Sequence, residues 1–358
     1  MKYKLKSREM TSILINLITV KMLFTYPRYI VERCLNGAWL SVLIYLGVAL
    51  AIFFLTQELY LRAERTSLIT QAEVIGGKTL KIIVGLFTAT LLMLNIAPMV
   101  RAFPEAIKTA LLQNTPMIVI VALLALGVAV GARFGIEALG RTTAVFLPIA
   151  ALFITGFFII LAPHYEVTNL FPFSLKDILI KGSSSLSIFA DIFVLNLLMP
   201  YCEDMKAVKK SGLSAILIGG ITGFLIVFAY CLVYPFPVSS RFIVPMYQLT
   251  RLVKIGTYFQ RLEAIFEFVW SISILIYTSI YLFVIADTVK QSFGLRHHKP
   301  LVFPLLVILL RLVFWEESYT EALRSNYVNS AVLYPIFYTL PLLLGLIYVA
   351  KRKRSTKL

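Results

Sequence analysis

Residues 17–34 read LITVKMLFTYPRYIVERC, a stretch apolar enough to enter a membrane yet interrupted twice. Lys21 lies in its middle, where a charged side chain costs about 2.5–3.5 kcal/mol on membrane-insertion scales. Pro27 follows within two turns, and a proline inside a helix removes a hydrogen bond and clashes with the carbonyl four residues earlier. The stretch therefore predicts a membrane helix that is broken between about Val20 and Arg28.

The rest of the chain has the composition of a polytopic membrane protein. Of its 358 residues, 59% are hydrophobic, and the mean hydropathy is +0.86. Apolar runs of about 17–25 residues, long enough for a helix to cross a bilayer, recur along the whole length. We predict an all-α integral membrane protein with ten transmembrane helices in a single polytopic domain, without a cleavable signal peptide. The predicted spans are residues 10–33, 37–58, 79–103, 116–133, 142–162, 184–201, 212–235, 264–289, 300–315 and 331–350.

The formal net charge is +16, from 34 Lys and Arg against 18 Asp and Glu. Basic residues collect in the cytoplasmic loops of membrane proteins, so this charge predicts an orientation rather than nucleic-acid binding. With the N-terminus inside, the inner segments hold 21 basic residues and the outer segments hold 12. Both termini are therefore predicted to be cytoplasmic, with residues 351–358 as a basic tail.

A second interrupted span occurs at residues 184–201, SSLSIFADIFVLNLLMPY. It carries Asp191 in its body and ends near Pro200. Spans one and six stand five apart, so they occupy matching positions in two five-helix halves, about 10–162 and 184–350. Interrupted helices at matching positions indicate a midplane binding site in inverted-repeat transporters. Prolines and serines also produce simple kinks in membrane helices, and the pattern alone does not separate the two.

Lys21 and Asp191 fall in the two broken spans, where they can neutralise each other. One interpretation is a buried ion pair that fixes helix packing. A second is a pocket in which both charges meet a charged ligand. A third is that Lys21 extends to the membrane surface. The residues alone leave these interpretations open.

No enzyme class is predicted, because the sequence has neither a Ser-His-Asp arrangement nor a phosphate-binding loop. The three cysteines and three histidines show no metal-ligand spacing, so no metal and no cofactor are expected. Ile75-Gly76-Gly77-Lys78 lacks the spacing of a phosphate loop and predicts a turn into the third span.

Six stretches, in order along the chain, resemble the B-subunit family of spore germination receptors, which belongs to the amino acid–polyamine–organocation superfamily. They cover charged helix ends, outer loops and both broken spans. The stretches are MLFTYPRYI (22–30), RAFPEAIKTALLQNTP (101–116), ARFGIEALGRTTAVFLP (132–148), VTNLFPF (167–173), FAD (189–191) and RLEAIFEFVW (261–270).

This resemblance implies a leucine-transporter-like fold of 5+5 inverted repeats, with helices one and six broken. It implies a receptor assembled with a larger A subunit and a lipoprotein C subunit in the inner spore membrane or cell membrane. The implied function is to recognise a small nutrient, such as an amino acid, in a midplane pocket between spans one, three, six and eight, and to trigger germination. The candidate substrate-binding residues are Val20, Lys21, Met22, Thr25, Phe189, Ala190 and Asp191.

The candidate pocket departs from the family pattern where span one unwinds. Val20-Lys21-Met22 replaces a Gly-x-Gly-like step, and Ala190 and Asp191 stand where glycine and glutamate are common. Glycine lets the backbone approach a ligand carboxylate closely. Lys21 can replace that cradle as a carboxylate partner, or it can fill the pocket. Two alternatives to a nutrient receptor therefore stay open: a cation-coupled amino acid transporter, and a structural receptor subunit that binds no ligand.

Overall fold

The computed structural model describes residues 5–62, 66–202, 204–242, 244–253, 262–315 and 318–355. Four of the 21 basic residues in the predicted inner segments lie outside these ranges, namely Lys2, Lys4, Arg65 and Lys357, as does Arg261 of the RLEAIFEFVW stretch. Over the described residues the chain is helical, which confirms the all-α prediction. The α-helices are α1 (Ser7–Met22), α2 (Tyr26–Cys34), α3 (Ala38–Arg62), α4 (Leu68–Ala110), α5 (Met117–Phe134), α6 (Ile136–Leu161), α7 (Leu175–Lys181), α8 (Phe193–Leu198), α9 (Met205–Val233), α10 (Pro245–Leu252), α11 (Leu262–Phe293), α12 (Val302–Val313) and α13 (Tyr319–Ser355).

Seven helical segments of the described chain are long and apolar enough to cross a membrane. An eighth is added if the pieces Leu175–Ile188 and Ala190–Tyr201, which meet at 42°, form one bent span. The predicted count of ten also needs α1 and α12 to cross. These helices have 16 and 12 residues, fewer than the roughly 20 that a straight span requires. The multi-pass architecture is confirmed, whereas the count of ten is not.

Span one is broken within the predicted range of about Val20 to Arg28, although not at Val20-Lys21-Met22, where the family resemblance places the unwound step. Val20-Lys21-Met22 stays in the last turn of α1, and the chain leaves the helix at residues 23–25 before α2 begins at Tyr26. Pro27 explains why the helix ends where it does. Its nitrogen has no proton to give to the carbonyl of Leu23, four residues earlier, and its ring crowds that carbonyl. Near the start of α2 the missing proton costs little, because the first helical N–H groups have no partner within the helix.

Span six is interrupted over a longer stretch. Gly182–Ile188 and Ala190–Ile192 are wound as tight 3-10 turns, and the 42° bend falls between them at Phe189. Serine hydroxyls bond back to the chain here: Ser184 donates to the carbonyl of Lys181 at 3.0 Å. Such local bonds compete with the regular helical ladder, which explains why a serine-rich segment winds differently from its neighbours.

The two broken spans occupy the centre of the molecule, against α9. Ile18 of α1 lies against Gly219, where an added Cβ would come within 2.8 Å of it. Phe189 lies in the same way against Gly220, at 3.0 Å. Glycines on this face of α9 thus let α1 and the bend of span six approach closely, which brings their charged residues into the interior.

The helix that contains span three is interrupted about two turns after its start. Gly76 and Gly77 have non-helical backbone angles within α4, and the φ of Gly77 is +70°. Glycine adopts this left-handed region without the steric cost that a Cβ imposes. The predicted turn at Ile75-Gly76-Gly77-Lys78 is therefore confirmed.

Candidate functional site

Lys21, in the last turn of α1, and Asp191, beside the bend of span six, form a buried ion pair. Lys21 Nζ lies 2.9 Å from Asp191 Oδ2, and the two side chains are 3% and 0% exposed. The same ammonium donates to the carbonyl of Ser187 at 3.0 Å. The predicted pairing is confirmed, and the burial excludes extension of Lys21 to the membrane surface.

The other carboxylate oxygen of Asp191 is bound by residues from two further helices. Tyr281 of α11 donates its hydroxyl proton to Asp191 Oδ1 at 2.6 Å. Asn95 of α4 donates to the Tyr281 oxygen at 2.9 Å and lies 3.5 Å from Asp191 Oδ1. A buried charge is tolerated only when it is paired and hydrogen-bonded. Asp191 has both kinds of partner, so α1, α4, span six and α11 meet at one carboxylate.

Aromatic rings cover the ammonium of Lys21. Its Nζ lies 5.3 Å from the ring centroid of Tyr26 and 4.8 Å from that of Tyr334. Both distances are within the range of about 6 Å in which a ring face attracts a cation. The hydroxyls of Tyr26 and Tyr334 are hydrogen-bonded to each other. Helix α13, the predicted tenth span, is therefore part of this site in addition to spans one, three, six and eight.

A cavity of about 10 Å³ adjoins the ion pair, which is room for about one water molecule. Its walls come from α1, the break in span one, α4, α11 and α13. The residues that line it are Lys21, Phe24, Thr25, Tyr26, Asn95, Met99, Tyr277 and Tyr334. An amino acid can enter this space only if the surrounding helices separate, because the side chains already fill it.

The seven predicted site residues are all buried, but they do not all face the cavity. Lys21 and Thr25 line it, and Asp191 is paired with Lys21 beside it. Val20 and Ala190 do not belong to its walls.

Met22 and Phe189 are also directed elsewhere. Met22 lies against Gly223 of α9, and Phe189 lies against Gly220 of the same helix. Successive residues of a helix point about 100° apart, so the neighbours of a residue that faces the pocket face other helices. The sequence therefore locates the pair, while four of the seven predicted residues lie outside the walls of the cavity and do not belong to the ion pair.

Four residues whose side chains contact the ion pair were not predicted: Asn95, Tyr26, Tyr281 and Tyr334. Three further residues that line the cavity were not predicted either: Phe24, Met99 and Tyr277. One signal in the sequence points to two of them, Tyr281 and Tyr334. Tyrosines in the middle of apolar helices usually need a partner for the hydroxyl group, and such tyrosines occur in α11 and α13. That signal identifies a polar contact but not which distant helix supplies it.

A second buried carboxylate, that of Asp287, lies further along α11 and accepts hydrogen bonds from several side chains. Tyr201 and Lys290 both donate to Asp287 Oδ1 at 2.6 Å, and Gln291 donates to Oδ2 at 2.6 Å. The carbonyl of Tyr201 accepts a hydrogen bond from the backbone N–H of Leu5 at 2.7 Å. The segment that precedes α1 is thus joined to the end of span six and to α11.

The chemistry that the Lys21 site offers is recognition of charge. Its ammonium can donate to a carboxylate, and its carboxylate can accept from an ammonium, which are strong charge-assisted hydrogen bonds. Within the described ranges no group of three His, Cys, Asp or Glu side chains lies close enough to hold a metal ion.

Proteins with related sequences are matched along most of this chain. The family model described as "Spore germination protein" matches residues 4–321. Spore germination protein KB of Bacillus subtilis (strain 168) is 25% identical over 336 residues, which cover 90% of this chain and 89% of that protein. Spore germination protein XB of Bacillus anthracis is 24% identical over 250 residues, which cover 68% and 69% of the two chains.

Two solved transporter structures share the fold. Mhp1, a nucleobase-cation-symport-1 family transporter in a closed conformation with bromovinylhydantoin bound, has a TM-score of 0.62 at 12% identity and covers 90% of this chain and 75% of its own. A Na⁺-coupled sialic acid symporter in a substrate-bound, outward-open state has a TM-score of 0.64 at 10% identity, covering 97% and 79%. These identities show the fold alone, which is the predicted leucine-transporter-like fold. The sequence match decides the family: the chain belongs to the spore germination protein family.

Proposed function

We propose that this chain is the membrane subunit of a spore germinant receptor, and that it recognises a small nutrient of the amino acid class at the Lys21–Asp191 pair. Membership of the spore germination protein family supports the role in germination. The observation that supports an amino acid ligand is the ion pair, in which the two charged atoms are 2.9 Å apart and buried beside the breaks of both interrupted spans.

An amino acid has the charges that this pair can exchange. Its carboxylate can accept from Lys21 Nζ while its ammonium donates to Asp191. Neither buried charge is then left without a partner, which is the costly outcome when a buried pair is broken. The internal pair and the ligand therefore compete for the same two groups.

Ligand entry also requires movement, because the cavity measures only about 10 Å³. Lys21 is on α1 and Asp191 is in span six, so a ligand inserted between them separates these two spans. A ligand that binds only the separated arrangement shifts the population toward it. In this proposal, occupancy of the site becomes a displacement of helices that the rest of a receptor can detect.

The proposal includes the partners and the location that the family implies. These are a larger A subunit, a lipoprotein C subunit and the inner spore membrane or cell membrane, with the chain as one polytopic domain of two five-helix repeats. No catalytic step is part of it. The excess of basic residues in the predicted inner segments supports cytoplasmic termini. Labelling of single cysteines at Ser355 and Ser325 with an impermeant reagent, expected from opposite sides, tests that orientation.

A second candidate is a structural subunit that binds no nutrient. It is favoured by one observation: Lys21 and Asp191 already satisfy each other, and the adjoining cavity holds about one water molecule. Transport by this chain alone has no comparable support, since the likeness to transporters concerns the fold only.

The test is thermal unfolding of the purified full-length protein in lipid nanodiscs. The probes are the common L-amino acids, each compared with its amide and its amino alcohol, which lack the carboxylate. We expect at least one amino acid to raise the unfolding midpoint and its two analogues to leave it unchanged. The control is the double variant Lys21→Met/Asp191→Asn, which has no charge at the site and is expected to show no shift.

Three results contradict the proposal in different ways. No shift with any amino acid favours the structural subunit. A shift that persists in the double variant places the ligand at another site. Accumulation of an amino acid by proteoliposomes that contain this chain alone favours a transporter.

A further inference from the structure

A large groove lies next to the residues that surround the Lys21–Asp191 pair. It is bordered by α2, α3, the 3-10 turns of span six and α13. Its volume is about 770 Å³, against about 10 Å³ for the cavity at Lys21. Volumes of about 300–1,000 Å³ are typical of sites that hold a small molecule. We name it the α2–α13 groove, and it is large enough to hold a small molecule.

Two cations stand at one end of this groove. Arg33 is in the last turn of α2, with its guanidinium 3.9 Å from the ring centroid of Tyr29. Lys181 is the last residue of α7, and its ammonium lies 2.9 Å from a carboxylate oxygen of Asp177. The Lys181 side chain is 55% exposed, and ion pairs this exposed are weak and exchange readily. Among the described residues that line the groove there is no carboxylate, so this end attracts anions.

The other end reaches into the membrane-spanning part of the helices. Ile52 lines the groove fourteen positions after Ala38, the first residue of α3, which is about 21 Å along the helix. On α13 the lining continues from Ala331 to Thr339, about 12 Å. The groove therefore extends from the face of the membrane, where α2 ends and α3 begins, toward its middle.

The helix faces that border the groove are apolar and open. Leu55 lies one turn from Ile52 and is 62% exposed, and Leu343 lies one turn from Thr339 and is 56% exposed. In a spanning helix such side chains face lipid. The groove is thus a cleft on a lipid-facing surface, with cations only where the lipid headgroups lie.

We propose that the α2–α13 groove binds an anionic phospholipid, with its phosphate between Arg33 and Lys181 and one acyl chain along Leu186, Pro335 and Tyr338. Lys and Arg are the usual partners of phosphate, and basic pockets between membrane helices bind acidic headgroups. A water-soluble anion would be held at the cationic end only, leaving the apolar part of the groove unused. A lipid occupies both parts.

The position of this lipid gives it a route to the ion pair. Ser187 and Tyr334 line the groove, while the carbonyl of Ser187 accepts from Lys21 and the ring of Tyr334 covers its ammonium. An acyl chain in the groove therefore packs against residues that hold the pair together. The lipid site does not depend on the proposed nutrient, because its cations, Arg33 and Lys181, do not line the cavity at Lys21.

Native mass spectrometry of the full-length protein tests the proposal. The protein is exchanged from nanodiscs of equal phosphatidylglycerol and phosphatidylcholine, with matched dioleoyl chains, into mild detergent, and retained lipids are counted. We expect phosphatidylglycerol to be retained on the order of tenfold more than phosphatidylcholine, with the preference largely lost in Arg33→Gln/Lys181→Gln. The matched control is Lys176→Gln/Arg241→Gln, which removes two exposed cations outside the groove and is expected to keep the preference.

A second variant tests the acyl-chain part without changing charge. Ala331→Phe adds a ring to the exposed wall of the groove and is expected to reduce retention of both lipids while both groove cations remain. Unchanged lipid preference in Arg33→Gln/Lys181→Gln, or equal loss in the control, overturns the proposal. Displacement of the lipid by millimolar inorganic phosphate also overturns it, because the groove would then be a site for soluble anions.

Discussion

Asp191 and Asp287 receive the same three kinds of donor: a tyrosine hydroxyl, a lysine ammonium and a side-chain amide. Their lysines differ in origin. Lys21 comes from α1, in the other half of the chain, whereas Lys290 stands three residues beyond Asp287 on the same helix. The lysines also differ in exposure, with 3% of the Lys21 side chain and 23% of the Lys290 side chain accessible.

The hydrogen bonds at Asp191 depend on how different helices pack together, whereas the ion pair at Asp287 depends on one helix alone. A pair within one turn of a helix forms wherever that helix forms, and the lysine end of the Asp287–Lys290 pair is accessible to water, although the Asp287 side chain is only 3% exposed. A pair between α1 and span six forms only when the two helices are packed correctly, and the adjoining cavity has room for only about one water molecule in place of a lost partner. We therefore expect the loss of an equivalent donor to lower the free energy of unfolding more at Asp191 than at Asp287.

The largest effect is expected on removal of one partner of the Lys21–Asp191 pair. Lys21→Met leaves Asp191 buried without its cation, and Asp191→Asn leaves the Lys21 ammonium buried without its anion. Each change should cost about 3–5 kcal/mol of folding free energy. The measurement is the amount of monodisperse, full-length protein recovered from membranes, together with its unfolding midpoint in one detergent.

The double variant Lys21→Met/Asp191→Asn is the decisive member of this series. Because neither charge remains, it should recover much of the folded protein that each single variant loses. The coupling energy then follows from the double-mutant cycle. Additive losses would mean that the two side chains do not interact, and the comparison with Asp287 would have no basis.

An intermediate effect is expected on removal of the tyrosine hydroxyls. Tyr281→Phe takes from Asp191 its shortest hydrogen bond and leaves Asn95 at 3.5 Å, so a loss of about 1.5–3 kcal/mol is expected. Tyr201→Phe should cost less, because Lys290 and Gln291 still donate to Asp287 at 2.6 Å. The shift of the unfolding midpoint in each variant measures this, and an equal or larger shift for Tyr201→Phe would refute the ranking.

The sequence predicts the charged half of this site well. Lys21 and Asp191 are identifiable because a charge inside an apolar run is costly and requires a partner. The break near Pro27 is identifiable for a similar reason, and it lies at residues 23–25 because proline acts on the carbonyl four residues earlier.

The neutral half of the site is not predictable in the same way. Asn95, Tyr281 and Tyr334 are ordinary residues in apolar helices, and their roles depend on how helices far apart in the chain are rotated against each other. No periodicity within one helix encodes that rotation. The predicted count of ten spans is not confirmed for a related reason: α1 and α12 are short, and whether a short helix crosses depends on its neighbours.

The smallest effect is expected for Lys290→Met. The Lys290 ammonium lies 2.6 Å from Asp287 Oδ1, but its side chain is partly accessible, and Asp287 keeps Tyr201 and Gln291 as donors. The Asp287 side chain is only 3% exposed, but two donors remain on it and the ammonium end of the pair reaches water, so the unfolding midpoint should shift less than in Lys21→Met. The part of the shift that comes from the accessible ammonium should fall at high salt. Lys176→Met, at an exposed lysine, is the control for loss of a surface cation. If Lys290→Met instead destabilises the protein as much as Lys21→Met, in low and high salt alike, then burial and helix origin do not set the energy of these pairs.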